Sequence, residues 1–225
     1  MTITPASTMS ESALREEICR VGASLYARGY VHASAGNISV RLADGGFLIT
    51  PTDACLGQLD PARLAAVNAA GVQTIGDRAS KTLALHRQIY AADADAACVI
   101  HTHSTHLVAL TLAGVWAPDD ILPPITPYFV MKVGHVPLVP YHRPGDPAVG
   151  DWVAARIRRQ HQAGLPIRAV MLDRLGPNVW HRSPAEASAV LEELEETARL
   201  WLLARPAPLT PAQIEELRQA FGARW

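Results

Sequence analysis

The sequence is poor in the features that mark secreted, membrane-spanning or nucleic-acid-binding proteins. Its 225 residues include three scattered cysteines, an odd number that fits a reducing cytosol rather than a disulfide scaffold. No run of about 18 apolar residues occurs and residues 1–10 are polar, so neither a membrane span nor a secretion signal is predicted. The net charge is −1 without a basic stripe, which disfavours nucleic acid and anionic membranes as partners. We therefore expect a cytoplasmic protein.

The apolar content and its spacing predict the fold class. Hydrophobic residues make up 49 % of the chain, enough for a sizeable core, and no linker, repeat or low-complexity tract interrupts it. We expect one domain over residues 1–225, with 1–9 as a flexible tail. Capping boxes at Thr8–Glu11 and Ser183–Glu186 mark two helix starts, and Val136–Pro140 is predicted as an edge strand because prolines cannot donate to a ladder. The pattern predicts a three-layer αβα fold whose central sheet is mostly antiparallel.

One short segment carries a candidate metal site. Ala97–Ile100 is apolar and partly β-branched, which predicts a buried strand, and it runs directly into His101 and His103. Side chains alternate along a strand, so both imidazoles leave on the same face, and neutral imidazole is the commonest metal ligand. A bare His-x-His pair also occurs by chance, often with one histidine in the core. A third ligand or a recognisable frame is needed to decide.

Four segments in a fixed order supply that frame. They are Gly36-Asn37-Ile38-Ser39-Val40-Arg41, Ile49-Thr50-Pro51-Thr52, Ser80, and His101-x-His103. With these segments the chain resembles the class II aldolase/adducin family over nearly its whole length. Further strings are similar to the 3-oxo-tetronate 4-phosphate decarboxylase branch of that family: Cys55–Pro61, Thr126–Met131, Val139–Asp146 and Leu191–Ala198.

The resemblance implies roles for individual residues. His101 and His103 match two of the family's ligands for a divalent metal, zinc or manganese. The positions that bind substrate phosphate are matched by Ser34, Gly36, Asn37, Thr52 and Ser80. Small residues expose backbone N–H groups, and Ser80 is predicted to cap a helix whose N-terminus favours an anion. Beside it, Lys81 is expected to pair with a phosphate or carboxylate. Tyr128 matches a tyrosine that donates a proton across a subunit boundary, and the resemblance implies a homotetramer acting on a small sugar phosphate.

Three positions depart from the family pattern. Thr82 stands where the family has a glutamate, Leu175 stands where it has a third metal-binding histidine, and Asp53 replaces the glycine of a phosphate loop. A catalytic zinc typically has three protein ligands, so two imidazoles leave the site under-coordinated. Four residues are candidates to swing in, although each is more readily interpreted as an ordinary surface side chain: His106, His135, His142 and Asp173.

These observations favour a lyase over two alternatives. The preferred hypothesis is decarboxylation of a 3-oxo-tetronate 4-phosphate, because loss of CO₂ needs no base to start it and so tolerates Thr82. The first alternative is a sugar-phosphate aldolase or epimerase with an altered site. The second is a catalytically silent, aldolase-like binding protein. The acidic cluster Glu192–Glu196 is interpreted as a solvated helix face.

Overall fold

The chain is described here by a computed structural model that covers residues 9–225. The predicted tail, apart from Met9, lies outside the described residues, and so does Thr8 of the first predicted capping box. The first helix, α1 (Glu11–Ala27), is instead capped by Ser10, whose hydroxyl oxygen accepts from the Ala13 N–H (3.2 Å). This serine satisfies one of the N–H groups that a helix start leaves without a partner.

Eight strands form one sheet at the centre of the fold. They are β1 (Asn37–Arg41), β2 (Phe47–Ile49), β3 (Ala65–Val67), β4 (Gln73–Ile75), β5 (Cys98–His101), β6 (Leu138–Val139), β7 (Ala169–Leu172) and β8 (Gly176–His181). Their order is β4-β3-β2-β1-β5-β8-β7-β6. Every neighbouring pair is antiparallel except β6 and β7. The prediction of a mostly antiparallel sheet is confirmed, and the proline-flanked strand β6 does lie at an edge.

Helices cover both faces of the sheet. On one side, called the α2/α4 face, lie α2 (Leu83–Ala92) and α4 (Pro147–Gln162), packed on each other over one apolar cluster. On the other side, called the α5 face, lie α1, α3 (Thr105–Ala113) and α5 (Pro184–Ala204) over a second cluster. A π-helix, Phe129–Val133, packs against both α5 and the last helix, α6 (Pro211–Phe221). This arrangement confirms the predicted three layers.

Strand register places one row of polar residues on the α2/α4 face. Asn37 of β1 pairs with His101 of β5, and His101 pairs with Asn178 of β8. Residues directly opposite each other in an antiparallel sheet point to the same face. The neighbouring positions Val99 and Trp180 also contribute to the apolar cluster of this face, two residues along each strand. The row therefore lies beneath α2, at the end of β5 where the two histidines leave the sheet.

The prediction of a solvated acidic face on α5 was wrong at Glu195. This side chain is only 3 % exposed, and its carboxylate accepts from the backbone N–H groups of His106 (2.9 Å) and Leu107 (3.1 Å). It also accepts from the His106 ring (2.8 Å). Glu195 thus binds the first turn of α3, where the helix dipole favours a negative charge. Only a tertiary contact reveals this role, because the residue lies 89 positions from His106.

Ser183 caps α5 as predicted, and its hydroxyl accepts from the Glu186 N–H (3.2 Å). The Glu186 carboxylate contacts His181 and Arg182 rather than the Ser183 backbone, so the capping box is only half formed.

Among the described helices, none combines the length and the apolar character that a membrane span requires.

Candidate active site

His101 lies at the end of β5 with one ring nitrogen held and the other free. Its Nδ1 donates to the carbonyl oxygen of Pro177 (2.9 Å), and because a carbonyl only accepts, the proton is on Nδ1. Burial is the main cause that lowers the pKa of His101 to about 4, and the neighbouring His103 is the second. The ring is therefore neutral at neutral pH. Its Nε2 has no protein partner. Among residues 9–225 this atom is not one of the fully buried polar atoms that lack a hydrogen bond, so it can be reached from outside the core. The lone pair of Nε2 is therefore available to a cation.

His103 completes the predicted pair. Its ring centroid lies 5.1 Å from that of His101, and burial, followed by the nearby His32, lowers the pKa of His103. The His32 ring lies 6.3 Å from that of His103, and sequence reasoning missed it because nothing in its local pattern suggests a site. Two neutral imidazoles fit a divalent metal. Within the described chain, however, no group of three or more histidine, cysteine, aspartate or glutamate side chains is placed to hold one.

Three of the four candidates for a third ligand, all of them histidines, have a ring that contacts a carboxylate. The ring of His106 contacts Glu195 (2.8 Å), that of His135 contacts Asp120 (2.8 Å), and that of His142 contacts Asp146 (3.4 Å). For Asp173, the structure gives a backbone bond, from its N–H to the carbonyl of Val139 (3.1 Å). Leu175 lies partly buried against the apolar side chains of the α2/α4 face. The contacts of the three histidines agree with the interpretation of these residues as ordinary side chains.

The loop before β1 packs directly on the histidine strand. Gly36 has φ +85°, and a Cβ added there would lie 2.8 Å from the His101 carbonyl oxygen and 2.9 Å from the Val31 side chain. The loop also exposes Ser34, whereas Asn37 is buried at the first position of β1. A residue without a side chain is required for this close approach. Gly36 therefore brings the predicted phosphate loop next to the strand that carries His101.

Replacing Gly36 with alanine is expected to lower the free energy of unfolding by more than about 1 kcal/mol, because alanine is disfavoured at positive φ and collides with the His101 carbonyl. Gly29→Ala is the matched control, since Gly29 has φ +75° but open space where a Cβ would lie. Chemical denaturation of both variants separates the cost of the collision from that of the backbone conformation. Equal losses in the two variants would contradict the close approach.

A short bridge between distant segments brings Thr52 and Ser80 together. Pro51 pairs with Ala79, the Thr52 N–H donates to the Arg78 carbonyl (2.9 Å), and the Ser80 N–H donates to the Thr50 carbonyl (3.3 Å). The two predicted phosphate-binding residues therefore flank the same bridge. The prediction that Ser80 caps a helix was wrong, because α2 begins at Leu83 and the N-cap position is taken by Thr82.

Thr82, at the family's glutamate position, links the two phosphate segments. Its hydroxyl oxygen accepts from the Asn37 amide (3.3 Å) and from the Ser80 hydroxyl (3.2 Å). A carboxylate would accept the same two bonds but would also bring a negative charge next to the predicted phosphate position. Thr82 thus keeps the geometry of Asn37 and Ser80 while leaving the site more favourable to an anion.

The remaining predicted residues lie at the surface. Asp53 has φ +58° and lines a cavity of about 270 Å³ together with Thr52. Lys81 is exposed next to Ser80, and no ion pair involves it in the part of the chain that is described. Tyr128, at the start of the π-helix, is 61 % exposed. The structure thus brings together the loop, the bridge and the histidines, and it leaves Tyr128 on the outside of the protomer.

A larger cavity, of about 530 Å³, lies at the opposite end of β5. It is lined by Trp180 and His181, whose partners in β5 are Val99 and Cys98, and by residues of the π-helix and the chain's last turn. None of the predicted site residues lines it. The larger cavity therefore lies apart from the predicted site at His101.

Three buried side chains near His101 have polar atoms without partners. The Tyr90 hydroxyl donates to the Ser39 carbonyl (2.9 Å), so it accepts from the Ser39 hydroxyl (2.7 Å), which in turn accepts from His86 Nδ1 (2.7 Å). This leaves His86 Nε2 as an unpartnered, fully buried lone pair. Asn37 Oδ1 and both amide atoms of Asn178 are likewise buried without a partner. Such groups are rare in folded proteins, because buried polar atoms are nearly always bonded to the protein, to water or to a ligand.

Sequence reasoning missed His86 and Asn178. His86 lies in a helical apolar stripe and is indistinguishable there from a core histidine. Asn178 does stand out in the sequence. Its amide side chain interrupts a short segment that is otherwise apolar and that continues with Val179 and Trp180.

Comparison with known proteins identifies the family of this chain. A family model described as "Class II Aldolase and Adducin N-terminal domain" matches residues 16–202. A protein of Cupriavidus necator named 3-oxo-tetronate 4-phosphate decarboxylase is 59 % identical over 96 % of this chain and 99 % of its own length. A protein of the same name from Escherichia coli is 41 % identical over 92 % and 96 %. The crystal structure of YgbL from Escherichia coli superposes with a TM-score of 0.83 at 42 % identity, covering 92 % of this chain and 99 % of its own. The chain therefore belongs to the class II aldolase and adducin N-terminal domain family.

Proposed function

We propose that this protein is a divalent-metal-dependent carbon–carbon lyase that decarboxylates 3-oxo-tetronate 4-phosphate. The observation that carries the proposal is the pairing of His101 and His103, with Nε2 of His101 free, next to the segments that contain Asn37, Thr52 and Ser80. Two relatives of 59 % and 41 % identity, both named for this reaction, support the choice of substrate. Metal dependence is a property of the family.

The substrate is a β-keto acid, and its chemistry sets what the residues must do. His101 and His103 would hold the divalent ion, zinc or manganese. The bound ion supplies Lewis-acid stabilisation of the negative charge that develops on the ketone oxygen as CO₂ leaves. The hydroxyl of Ser80, the amide of Asn37 and the backbone N–H groups around Gly36 orient the phosphate, with Ser34, Thr52 and Lys81 at the rim of the same site. Fixing the phosphate end positions the carboxylate end for cleavage.

Thr82 suits this reaction better than aldol cleavage. An aldolase must remove a proton from a hydroxyl group, which needs a base such as a carboxylate near neutral pH. Decarboxylation instead begins with departure of CO₂ and needs a proton donor only after the bond has broken. A hydroxyl that holds Asn37 and Ser80 in place, without acting as a base, meets that requirement.

We further propose that the protein acts in the cytoplasm as a homotetramer of single-domain chains, with Tyr128 of one protomer donating a proton in a neighbouring site. The exposure of Tyr128 on its own protomer supports this role, since a tyrosine that serves its own site would be expected to face that site. The phenol O–H is a proton donor that can protonate the carbanion-like carbon left by departure of CO₂.

The assay that tests the proposal follows two product types at once. With manganese or zinc present, the purified protein is expected to release CO₂ from 3-oxo-tetronate 4-phosphate, and a chelator is expected to stop the release until metal is restored. Sugar 1-phosphates offered in parallel are expected to yield no aldehyde. Aldehyde without CO₂ would instead support an altered aldolase, and no product from any substrate would support the silent binding protein.

A further inference from the structure

We propose that Asn178 supplies the third protein ligand of the metal site, with its side-chain oxygen replacing the imidazole that Leu175 lacks. This inference rests on the proposed function for the presence of a metal at His101 and His103. Asn178 is not among the residues that the family resemblance implies, and in the described chain no group of three or more histidine, cysteine or carboxylate side chains could hold the ion.

Asn178 lies directly opposite His101 in the sheet. Asn178 pairs with His101 across β5 and β8. The next pair is hydrogen-bonded, since the Thr102 N–H donates to the Pro177 carbonyl (3.4 Å). Hydrogen-bonded and non-hydrogen-bonded pairs alternate in antiparallel sheets, so His101 and Asn178 form the closer kind, with Cα atoms about 4.5 Å apart. No other pairing along these two strands brings a polar side chain so near the His101 ring on the α2/α4 face.

Burying the Asn178 amide without hydrogen bonds is energetically unfavourable. The side chain is fully buried, and neither its oxygen nor its nitrogen has a partner. A buried amide without hydrogen bonds is unfavourable, whereas an apolar residue of similar size would pack there without that cost. An amide at such a position is explained when a ligand satisfies it. A divalent ion on the adjacent imidazole would satisfy the side-chain oxygen of Asn178, the acceptor half of this amide, after the side chain turns toward His101.

Leu175 stands where the family has its third metal-binding histidine, so this chain lacks one ligand that the family supplies. Leu175 lies in the turn that leads into β8, three positions before Asn178, so the lost imidazole and the new amide lie on the same stretch of chain. Amide oxygen is a hard, neutral ligand that suits manganese or magnesium better than zinc. Two imidazoles and one amide oxygen therefore point to manganese rather than zinc as the ion of this protein.

The test measures binding of manganese alone to metal-free protein, without substrate. Asn178→Val is expected to weaken Mn²⁺ affinity at least tenfold, whereas Asn178→Asp, which keeps an oxygen ligand, is expected to bind at least as tightly as the natural chain. Ser188→Ala is the matched control, because Ser188 is also a buried polar residue but lies on α5. Its Mn²⁺ affinity is expected to stay unchanged.

A second substitution distinguishes a ligand from a merely structural residue. Adding Leu175→His to Asn178→Val is expected to restore the lost affinity, since it returns an imidazole to the family position. The metal-free Asn178→Val protein is expected to unfold at a temperature no lower than the natural chain, because it loses only an unsatisfied amide.

Equal Mn²⁺ affinities of the natural chain and Asn178→Val would overturn the inference, and so would a natural chain that binds no Mn²⁺. Failure of the proposed function is separate, since it would appear as intact, Asn178-dependent Mn²⁺ binding without release of CO₂.

Discussion

Replacing His101 with glutamine is expected to reduce kcat/KM for decarboxylation by about 1,000-fold or more, the scale of losing the main stabilisation of a developing oxyanion. His101 presents a free Nε2 because Pro177 fixes the proton on Nδ1 (2.9 Å). A glutamine can still donate to the Pro177 carbonyl, so the end of β5 is expected to keep its position. It offers the ion no imidazole, and metal content and activity are expected to fall together.

The control for this substitution is His106→Gln. His106 lies five positions further along and its ring contacts Glu195 (2.8 Å), on the α5 side of the sheet. Its replacement removes an imidazole and a hydrogen bond without touching the proposed site, so activity is expected to change less than about threefold. Similar losses of activity in both variants would contradict the assignment of His101, and steady-state kinetics with metal analysis of the same samples decides.

Acid is expected to destabilise the metal-free protein steeply, because two buried histidines must become charged. Burial lowers the pKa of His86 to about 3, and burial followed by His103 lowers that of His101 to about 4, from an ordinary 6.5. Below pH 6.5 the unfolded chain therefore binds protons that the folded chain refuses, and the folded state loses stability as the pH falls toward those lower values. Each histidine contributes up to about 1.4 kcal/mol per pH unit, so two units of acidification cost up to about 5.6 kcal/mol for the two histidines together.

That loss is a large part of the roughly 5–15 kcal/mol by which most domains are stable, so unfolding is expected within the acidic range. Denaturant titrations across the pH range give the slope of unfolding free energy against pH. His86→Met is expected to make the slope shallower by close to one proton. Tyr90→Phe, which removes a hydroxyl that bonds Ser39 (2.9 Å to its carbonyl), is expected to lower stability at every pH without changing the slope. A slope unaffected by His86→Met would contradict the buried, neutral state of this ring.

The sheet was predictable from sequence because its signals are local. The apolar run before His101 and the prolines around β6 each report directly on backbone preference. Helix ends were less predictable. Ser10 rather than Thr8 caps α1, and Thr82 rather than Ser80 precedes α2, because several hydroxyl residues in a row offer equivalent caps and tertiary contacts choose among them.

The site was predictable only as far as its motifs reach. His101, His103 and the phosphate segments follow from ordered motifs, and the structure brings those segments together. The bond from His101 to Pro177 joins residues 76 positions apart, and the link from Asn37 to Thr82 joins residues 45 apart. The alignment of Asn178 with His101 depends on strand register, which no local pattern reports. The features that decide the chemistry of this site are therefore long-range ones.

Binding of a catalytic divalent ion by His101 and His103 together can be seen by anomalous diffraction at the manganese edge, from crystals grown with Mn²⁺. We predict one strong peak per chain within about 2.0–2.3 Å of Nε2 of His101 and of a ring nitrogen of His103. A crystal grown at saturating Mn²⁺ that shows no peak at these two rings would contradict the account.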